Sequence, residues 1–299
     1  MSTFEINHVP VTTPPRPSAT VLLLRDGPAG LEVLMQRRSD ASDVLGGAFV
    51  FPGGKVDRAD AESDMLARLD RPAEDLHRAV ADPSLAVADA AACFVAAARE
   101  TFEEAGVLLA LESDGTWVST ARADVARDAS RGGLGFVEVL EQMDLRIATE
   151  ALLPWARWIT PRTPSLARKR FDSRFFLARA PLGQTVRHDD HEATESVWIA
   201  PRAALERGRG GEIMLAPPQL MSLVELARLP DVDTAMQPAS RTWPRVVEPH
   251  SFDVEGTRAV AYPGDELHPV RERVMPGPTR LIFRDGRFEP FDGFEQLFA

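Results

Sequence analysis

Apolar runs separated by turn-forming residues mark the first part of the chain. Residues 19–24 and 31–37 are rich in apolar side chains, and Asp26-Gly27-Pro28 stands between them. Because glycine and proline in such a position favour a turn, the pattern predicts two strands joined as a hairpin. A third apolar run, residues 48–51, ends at Pro52-Gly53-Gly54, where the glycines permit a positive φ and the close approach of another backbone.

Helical spacing replaces this pattern further along the chain. Residues 58–89 are highly charged, with apolar side chains at loosely helical intervals, and we interpret them as an inserted helical lobe. Asp89 to Ala105 is rich in alanine and is followed by Gly106, which predicts a helix closed by a glycine C-cap. One face of this helix is expected to pack in the core: Phe94, Val95, Ala98, Thr101, Phe102 and Ala105.

The rest of the chain mixes strands and helices without regular alternation. We predict strands near residues 155–160, 174–177 and 196–200 and a helix at about 219–229. This mixture favours an α+β fold over a doubly wound parallel sheet. The sequence divides into an extended, proline-rich lead-in (1–18), a main domain (19–229) and a β-rich C-terminal extension (230–299).

Composition narrows the classes of function. The 299-residue chain is 44% hydrophobic and 26% charged, and its net charge of −11 would repel a nucleic-acid backbone. A small polyphosphate remains compatible, since a few arginines or a bound cation can reverse the sign of one cleft. The single cysteine, Cys93, excludes an internal disulfide and is expected to pack as a small hydrophobe. Without a membrane-length apolar run or a signal-like N-terminus, we expect a cytoplasmic protein that binds neither nucleic acid nor membrane.

An acidic cluster near the end of the predicted helix points to chemistry. Glu100, Glu103 and Glu104 stand at i, i+3 and i+4, so their carboxylates share one face within a single turn. This arrangement is repulsive, and it lies at the helix end where the macrodipole disfavours negative charge. Arg99 can orient or partly neutralise Glu103, but one arginine does not balance three acids. A hard divalent cation such as Mg²⁺ does, whereas the alternative is a solvated acidic face.

These residues and the upstream glycines resemble a known signature. Phe51-Pro52-Gly53-Gly54 followed by residues 99–107 (Arg-Glu-Thr-Phe-Glu-Glu-Ala-Gly-Val) resembles the box of the Nudix hydrolases. The first glutamate of that box falls on Asp60, with Asp57 as a competing candidate. Residues 61–98 form a longer spacer than the family usually has, which is similar to the subgroup that includes the peroxisomal coenzyme A diphosphatases of animals.

The resemblance implies a fold and an activity. The fold is a Nudix α/β/α sandwich with a mixed sheet, a helical insertion and a β-rich extension. The activity is cleavage of a nucleoside diphosphate linked to another moiety, by water and a bound Mg²⁺ or Mn²⁺ ion. Glu100 and Glu104 are then the primary metal ligands, Glu103 a third ligand or the proton acceptor, Arg99 an orienting catalytic residue and the Gly54 carbonyl a further ligand.

The substrate is suggested by a motif ahead of the box. Residues 34–39 and 47–54 fit in outline the motif of coenzyme A-type Nudix proteins, with Gln36 in place of a threonine and Ser42 in place of a basic residue. This favours coenzyme A or acyl-coenzyme A, cleaved to 3′,5′-ADP and the phosphopantetheine half, with the pantetheine arm in an apolar groove beside the insertion. The alternatives are an ADP-ribose or nucleotide-sugar hydrolase, and a nucleotide-sensing module that does not cleave.

Residues outside the box complete the expected site. Glu195 is the candidate general base and Glu192 the second choice. The run 188–191 (His-Asp-Asp-His) is interpreted as a solvated loop rather than a metal site. Substrate phosphates are assigned to four arginines: Arg37, Arg38, Arg168 and Arg170. The last two belong to a basic group for which ion pairing with the acidic insertion is an equal alternative. The group consists of Arg162, Arg168, Lys169, Arg170 and Arg174. The sequence leaves open whether the protein is a homodimer.

Overall fold

Helices cover both faces of a mixed β-sheet. The computed structural model describes residues 6–42, 45–163, 166, 169–187, 193–239 and 242–299. In chain order the strands are β1 (Arg16–Gly27), β2 (Gly30–Arg38), β3 (Phe49–Val50), β4 (Gly53–Lys55), β5 (Ala110–Leu111), β6 (Arg146–Ile147), β7 (Leu153–Ile159), β8 (Phe171–Arg179), β9 (Ala193–Ile199), β10 (Arg245–Val247), β11 (His250–Val254), β12 (Thr257–Ala261), β13 (Arg280–Arg284) and β14 (Arg287–Pro290). The α-helices are α1 (Ser63–Leu66), α2 (Ala73–Val80), α3 (Val87–Ala105), α4 (Thr120–Arg131), α5 (Phe136–Gln142), α6 (Pro201–Arg209), α7 (Pro217–Leu226) and α8 (Val232–Ala239). Short 3₁₀ turns cover Arg58–Ala61, Thr149–Ala151 and Phe294–Leu297. None of these helices is long and apolar enough to cross a membrane.

The main sheet is built around β1. Its strand order is β10-β7-β8-β1-β2-β3, while β4 also pairs with β1 and β9 with β2. β1 runs parallel to β8 and antiparallel to β2 and β4, so the predicted hairpin is confirmed and the sheet is mixed. Parallel and antiparallel pairs in one sheet, with helices on both faces, are the α+β architecture that the sequence predicts.

Alternate residues of β1 belong to two separate cores. Val21 and Leu23 pack with α3, whereas Leu22 and Leu24 pack with α6, α7 and the C-terminal strands. This period of two is expected of a strand that is buried on both faces. On the first face the apolar side of α3 is buried as predicted, and the Phe94 ring lies 4.9 Å from the ring of Phe176 in β8. Burial raises the pKa of the Cys93 thiol to about 11, which fits a packed hydrophobe.

The insertion is helical, as predicted. Residues 58–89 form a 3₁₀ turn, α1, α2 and the beginning of α3, and none of them belongs to a strand of the main sheet. Leu76 and Val80 lie on the buried side of α2 and pack in the same core as α3. α3 ends at Gly106, whose φ of 68° is the left-handed conformation that a glycine C-cap adopts without strain.

A second helical lobe, residues 107–152, follows α3 and was not assigned from the sequence. α4 and α5 pack on the buried side of α3, and the rings of Phe102 and Phe136 lie 5.8 Å apart. Arg127 of α4 donates to the Gly106 carbonyl at 2.9 Å and to the Thr185 carbonyl at 3.1 Å. These contacts join residues that are distant in the sequence. The mostly polar composition of α4 did not indicate that this helix would pack against α3.

The lead-in is shorter than predicted. Arg16, Pro17 and Ser18 belong to β1, where they pair with Phe171–Ser173 of β8. Pro17 is tolerated because it stands near the beginning of the strand, where a missing donor disrupts the ladder least. Pairing with a strand about 150 residues away outweighs the local preference of the prolines.

The residues after 229 are not all β-structure. β11–β14 form an antiparallel sheet in chain order, which accounts for the predicted β-rich character of this extension. β10 instead joins the main sheet beside β7. α8 packs in the core that also contains α6 and α7. The extension therefore contributes to the fold of the main domain as well as to a small sheet of its own.

Ion pairs tie the insertion to the main sheet. Asp82, directly after α2, accepts from Arg174 at 2.6 Å and lies 2.8 Å from Arg157. Asp172, which lies in β8, binds the same two guanidinium groups. Burial alone would raise the pKa of Asp82, but its hydrogen bonds to Ser84 and the two arginine charges outweigh burial, so the pKa lies below its ordinary value.

We predict that Asp82→Asn lowers the free energy of unfolding by about 3 kcal/mol, the lower end for a broken buried pair, because Asp172 still faces both arginines. Asp82 has a lowered pKa in the folded state, so its contribution is present above the unfolded pKa of about 3.9 and is lost as the pH falls through the folded pKa. Urea unfolding at pH 7 and below pH 4 measures both effects. Asp75→Asn, in an exposed i,i+3 pair with Arg78, is the control and should change stability by less than about 0.5 kcal/mol. An equal loss in both variants would contradict the assignment.

Candidate active site

Arg99 organises the acidic face of α3. Its Nε and Nη2 atoms donate to the two carboxylate oxygens of Asp60 at 2.9 and 3.0 Å. Its Nη1 atom donates to Glu100 at 2.9 Å and to Glu103 at 2.8 Å. Burial acts to lower the Arg99 pKa, but the hydrogen bonds to Asp60 and the neighbouring carboxylates outweigh it and hold the pKa above its ordinary value. One guanidinium thus links three carboxylates that would otherwise repel one another.

The structure separates the two aspartates that compete for the first position of the box. Asp60 is buried, holds Arg99 with both oxygens and accepts from the Asp57 amide at 2.8 Å. Asp57 also lies near Arg99, with 3.8 Å between its Oδ2 atom and Nη2, but its side chain is 64% exposed and lines the cleft described below. Asp60 therefore positions Arg99, while Asp57 is the aspartate that solvent and a ligand can reach.

Glu104 is fixed by hydrogen bonds from two strands. Its Oε2 atom accepts from the Gly53 amide of β4 at 2.8 Å. Its own carbonyl accepts from the side-chain amide of Gln36 in β2 at 2.9 Å, and this amide also reaches Ser196 of β9. A side chain at Gly53 would overlap the backbone of Ala19, so only glycine lets β4 lie this close to β1. The buried Thr101 hydroxyl donates a hydrogen bond to the Ala97 carbonyl at 2.7 Å. This polar group therefore has a partner in an otherwise apolar position.

The acidic cluster lies at the C-terminus of α3, where negative charge is unfavourable. A contact from the lobe of residues 107–152 compensates for this position. Arg127 brings a buried guanidinium to the Gly106 carbonyl, at the negative end of the α3 dipole. The repulsion that the sequence implies is therefore reduced by Arg99 on one side and by Arg127 at the end. Only the first of these is near the cluster in sequence.

A cleft of about 530 Å³ opens in front of Glu100 and Glu104. The β3–β4 turn and the acidic residues form one wall: Phe51, Gly53, Gly54, Lys55, Asp57, Glu100 and Glu104. β1, β8, α7 and the β2–β3 loop form the other: Ser18, Thr20, Lys169, Phe171, Ser173, Gln219, Arg38 and Leu45. The carboxylates are thus held by regular structure at the edge of a recess large enough for a small ligand.

Oxygen ligands at this edge are of the type that hard divalent cations prefer. Glu100, Glu104 and Asp57 all line the cleft, and Mg²⁺ needs only one or two protein carboxylates beside water and substrate oxygens. No group of three acidic, histidine or cysteine side chains converges in a metal-binding arrangement among the described residues. Arg99 holds the Glu100 and Glu103 side chains instead. The carboxylate oxygens at this edge are nevertheless the type of ligand that fits such a cation.

Sequence comparison identifies the family of the chain. The sequence model of the NUDT19 Nudix domain matches residues 15–229. The chain belongs to this Nudix family. It is similar to the acyl-coenzyme A diphosphatase NUDT19 of Xenopus laevis, with 26% identity over 80% of this chain and 71% of that protein. The NUDT19 of Gallus gallus is also 26% identical and covers 81% and 74%.

A solved structure shows the same fold. The NUDIX hydrolase from Alicyclobacillus acidocaldarius is 29% identical and matches 78% of this chain and 98% of its own with a TM-score of 0.60. The chain is therefore a Nudix hydrolase with the expected α+β fold, in a family that generally uses divalent metal ions.

The basic residues of this Nudix protein divide into two groups. Arg38 lines the cleft, and its Nε atom is buried without a hydrogen-bond partner in the described part of the chain. Lys169 also lines the cleft. Arg37 instead pairs with Asp40 at 2.8 Å. Arg170 donates to the Thr160 carbonyl and faces Glu248, so it secures the extension.

The remaining predicted residues lie at the margin or outside the described structure. Arg174 pairs with Asp82 of the insertion, which is the alternative that the sequence left open. Glu195 is exposed in β9 opposite Arg37 and is absent from the residues that line the cleft. Arg168 and residues 188–192 lie outside the described residues.

Sequence reasoning missed the polar residues outside the Nudix box that line the cleft. Thr20, Ser173 and Gln219 come from β1, β8 and α7, and their positions carry no recognisable motif. The parallel β1–β8 pairing brings the first two together, with Ser18 and Ser173 in hydrogen-bond contact at 2.5 Å. A polar residue at the beginning of an otherwise apolar helix, as Gln219 is, was the one available signal.

Gly54 provides a test of the cleft wall. A Cβ atom at Gly54 would overlap the Glu100 carboxylate, a flexible group that can move aside. We therefore expect Gly54→Ala to fold normally but to lower kcat by about 10- to 100-fold, the range for disturbed support of a metal ligand. Gly210→Ala, at a C-cap with ordinary contact distances, is the control. Steady-state kinetics and thermal melting of both variants check this; unchanged turnover in Gly54→Ala would contradict the role of Glu100.

Proposed function

We propose that this Nudix hydrolase cleaves the diphosphate of coenzyme A or acyl-coenzyme A to 3′,5′-ADP and the phosphopantetheine or acyl-phosphopantetheine half. The observation that carries the proposal is the continuity of the acidic cleft with an apolar recess, because this substrate joins a charged diphosphate to a long uncharged arm. The named function of the Xenopus laevis and Gallus gallus relatives supports the same substrate class.

Mg²⁺, or Mn²⁺ in its place, is the proposed cofactor. Glu100 and Glu104 are its proposed carboxylate ligands, with the Gly54 carbonyl and either Glu103 or Asp57 completing the protein contribution. When bound, the ion neutralises diphosphate oxygens and lowers the pKa of a bound water. Glu104 supports this assignment, because the Gly53 amide orients its carboxylate and the side chain lines the cleft.

The chain's own residues position the substrate and the carboxylates. Arg99 fixes the Glu100 and Glu103 side chains, so little reorganisation is needed at the moment of reaction. Arg38 and Lys169 supply positive charge to the cleft and are suited to bind the diphosphate oxygens. We prefer these two to Arg37 and Arg170 as phosphate ligands, because Arg38 and Lys169 line the cleft and the other two do not.

The proton acceptor remains a choice between two glutamates. Glu103 has a side chain that is 42% exposed, and Arg99 orients its carboxylate from 2.8 Å. We infer that this carboxylate accepts a proton from water. Glu195 would need to approach from the exposed end of β9. We propose Glu103 as the base and keep Glu195 as the alternative, which separate Gln variants and their pH–rate profiles distinguish.

A charge-neutral variant tests the metal assignment. We expect Glu104→Gln to fold with wild-type stability or better, because the amide relieves repulsion on α3. Its kcat should fall by about 10²-fold or more, since several kcal/mol of transition-state stabilisation depends on the metal. Mn²⁺ binding measured by electron paramagnetic resonance should weaken in parallel. A folded Glu104→Gln protein with near wild-type turnover would rule the assignment out.

A substrate panel tests the proposed activity. We expect coenzyme A and acyl-coenzyme A to be hydrolysed faster than ADP-ribose at equal concentration and equal Mg²⁺, because only they place an uncharged arm in the apolar recess. Chromatography should identify 3′,5′-ADP as a product. Faster hydrolysis of ADP-ribose or of a nucleotide sugar would favour that alternative instead.

A further inference from the structure

A second cavity, of about 190 Å³, opens off the catalytic cleft. The two spaces share Thr20, Leu45, Lys169, Phe171, Ser173 and Gln219, so together they form one recess. Beyond the shared residues, the wall of the second cavity is mostly apolar and includes Trp158, Pro161, Phe175, Pro217 and Val260. A ligand bound in the cleft can therefore extend an uncharged part into this cavity.

Part of this wall comes from outside the matched Nudix domain. Val260 of β12 and Pro249, directly before β11, both line the cavity, whereas the family match ends at residue 229. The Tyr262 ring packs edge-on against Trp158, with 6.1 Å between the ring centroids. This contact holds the indole in place. The C-terminal sheet therefore completes the recess that the Nudix domain begins.

Two buried polar atoms beside the cavity lack partners. Gln219 and Trp158 are only 8% and 4% exposed. The Oε1 atom of Gln219 and the Nε1 atom of Trp158 have no hydrogen-bond partner among the described residues. Such atoms are costly to bury, so a ligand that satisfies them gains affinity. An acceptor and a donor on the protein match the N–H and C=O groups of an amide.

The size of the cavity restricts what it can hold. A cavity of about 150 Å³ accommodates a benzene molecule, so one slightly larger accommodates a branched segment of similar size. Sites for whole drug-sized ligands begin near 300 Å³. A nucleoside is therefore better accommodated in the larger cleft, and the smaller cavity suits a short uncharged segment.

We propose that the second cavity binds the beginning of the substrate's pantetheine arm and that residues 230–299 thereby determine substrate choice. The branched dimethyl carbons next to the diphosphate would lie against Trp158 and Val260, and the first amide would bond to Gln219 and Trp158. This inference rests on the proposed function. It also moves the arm from the expected groove beside the insertion to the opposite face of the sheet, since residues 58–89 contribute nothing to the lining of either space.

The two reaction products allow each half of the site to be tested separately. 4′-Phosphopantetheine carries the arm and 3′,5′-ADP carries the nucleotide, and each is measured as a competitive inhibitor of coenzyme A hydrolysis. Val260→Phe fills the cavity and should raise the inhibition constant of 4′-phosphopantetheine by about tenfold or more. The inhibition constant of 3′,5′-ADP should stay within about twofold of wild type.

A matched variant and an enlarging variant guard against effects on folding. Val254→Phe introduces the same side chain into β11 of the same sheet, away from the cavity lining, and should change neither constant. Val260→Ala enlarges the cavity and should weaken 4′-phosphopantetheine alone by about threefold or more. If Val260→Phe does not fold, the Val260→Ala result decides.

Gln219→Met tests the amide contact without changing the side-chain length. It should raise the inhibition constant of 4′-phosphopantetheine by about threefold to tenfold, the value of one hydrogen bond. Gln142→Met at the exposed end of α5 is the control.

The failures of the two proposals are distinguishable. If the wild-type protein does not hydrolyse coenzyme A or any acyl-coenzyme A, the proposed function is wrong. If it does, but the Val260 and Gln219 variants affect the two products equally or not at all, the cavity assignment alone is overturned.

Discussion

The ion-pair centre at Arg99 is the constraint on which the site depends. A single guanidinium binds Asp60, Glu100 and Glu103, and so allows three acids to stand within one turn of α3. Asp60 directly precedes the spacer 61–98 and Arg99 directly follows it, so their ion pair joins the two ends of the spacer. Both ends are thereby fixed at the same point beside the acidic cluster.

The rest of the molecule supports this centre from several directions. β4 contributes the Gly53 amide to Glu104, β2 contributes Gln36 to the end of α3, and α4 contributes Arg127 to the helix terminus. α7 and the C-terminal strands contribute to the apolar cavity, which opens into the acidic cleft. Thr20, Phe171 and Ser173 of the β1–β8 pair line both spaces. The continuous recess therefore suits a substrate that has a charged and an uncharged half.

Local patterns identified the elements with strong periodicity or explicit boundary signals. The hairpin, the helix ending at Gly106 and the helical character of residues 58–89 are all present, because alternation, alanine content and glycine caps act over a few residues. The second half of the Nudix box was equally evident, since Arg99, Glu100, Glu103 and Glu104 lie within two turns of one helix. The lobe of residues 107–152 was missed, because its helices carry mixed polarity and are stabilised by packing against α3.

The sequence by itself determined the family, the acidic helix face and the candidate metal ligands, because these depend on the fixed geometry of one α-helix. Only the tertiary structure decided which aspartate is buried against Arg99 and which basic residues face the cleft. Arg174 and Arg170 looked equivalent to Lys169 in the sequence, yet Lys169 lines the cleft, while the other two pair with Asp82 and Glu248. The reason is physical: a charged side chain takes its role from the nearest opposite charge, and those partners lie some 80 to 90 residues away along the chain.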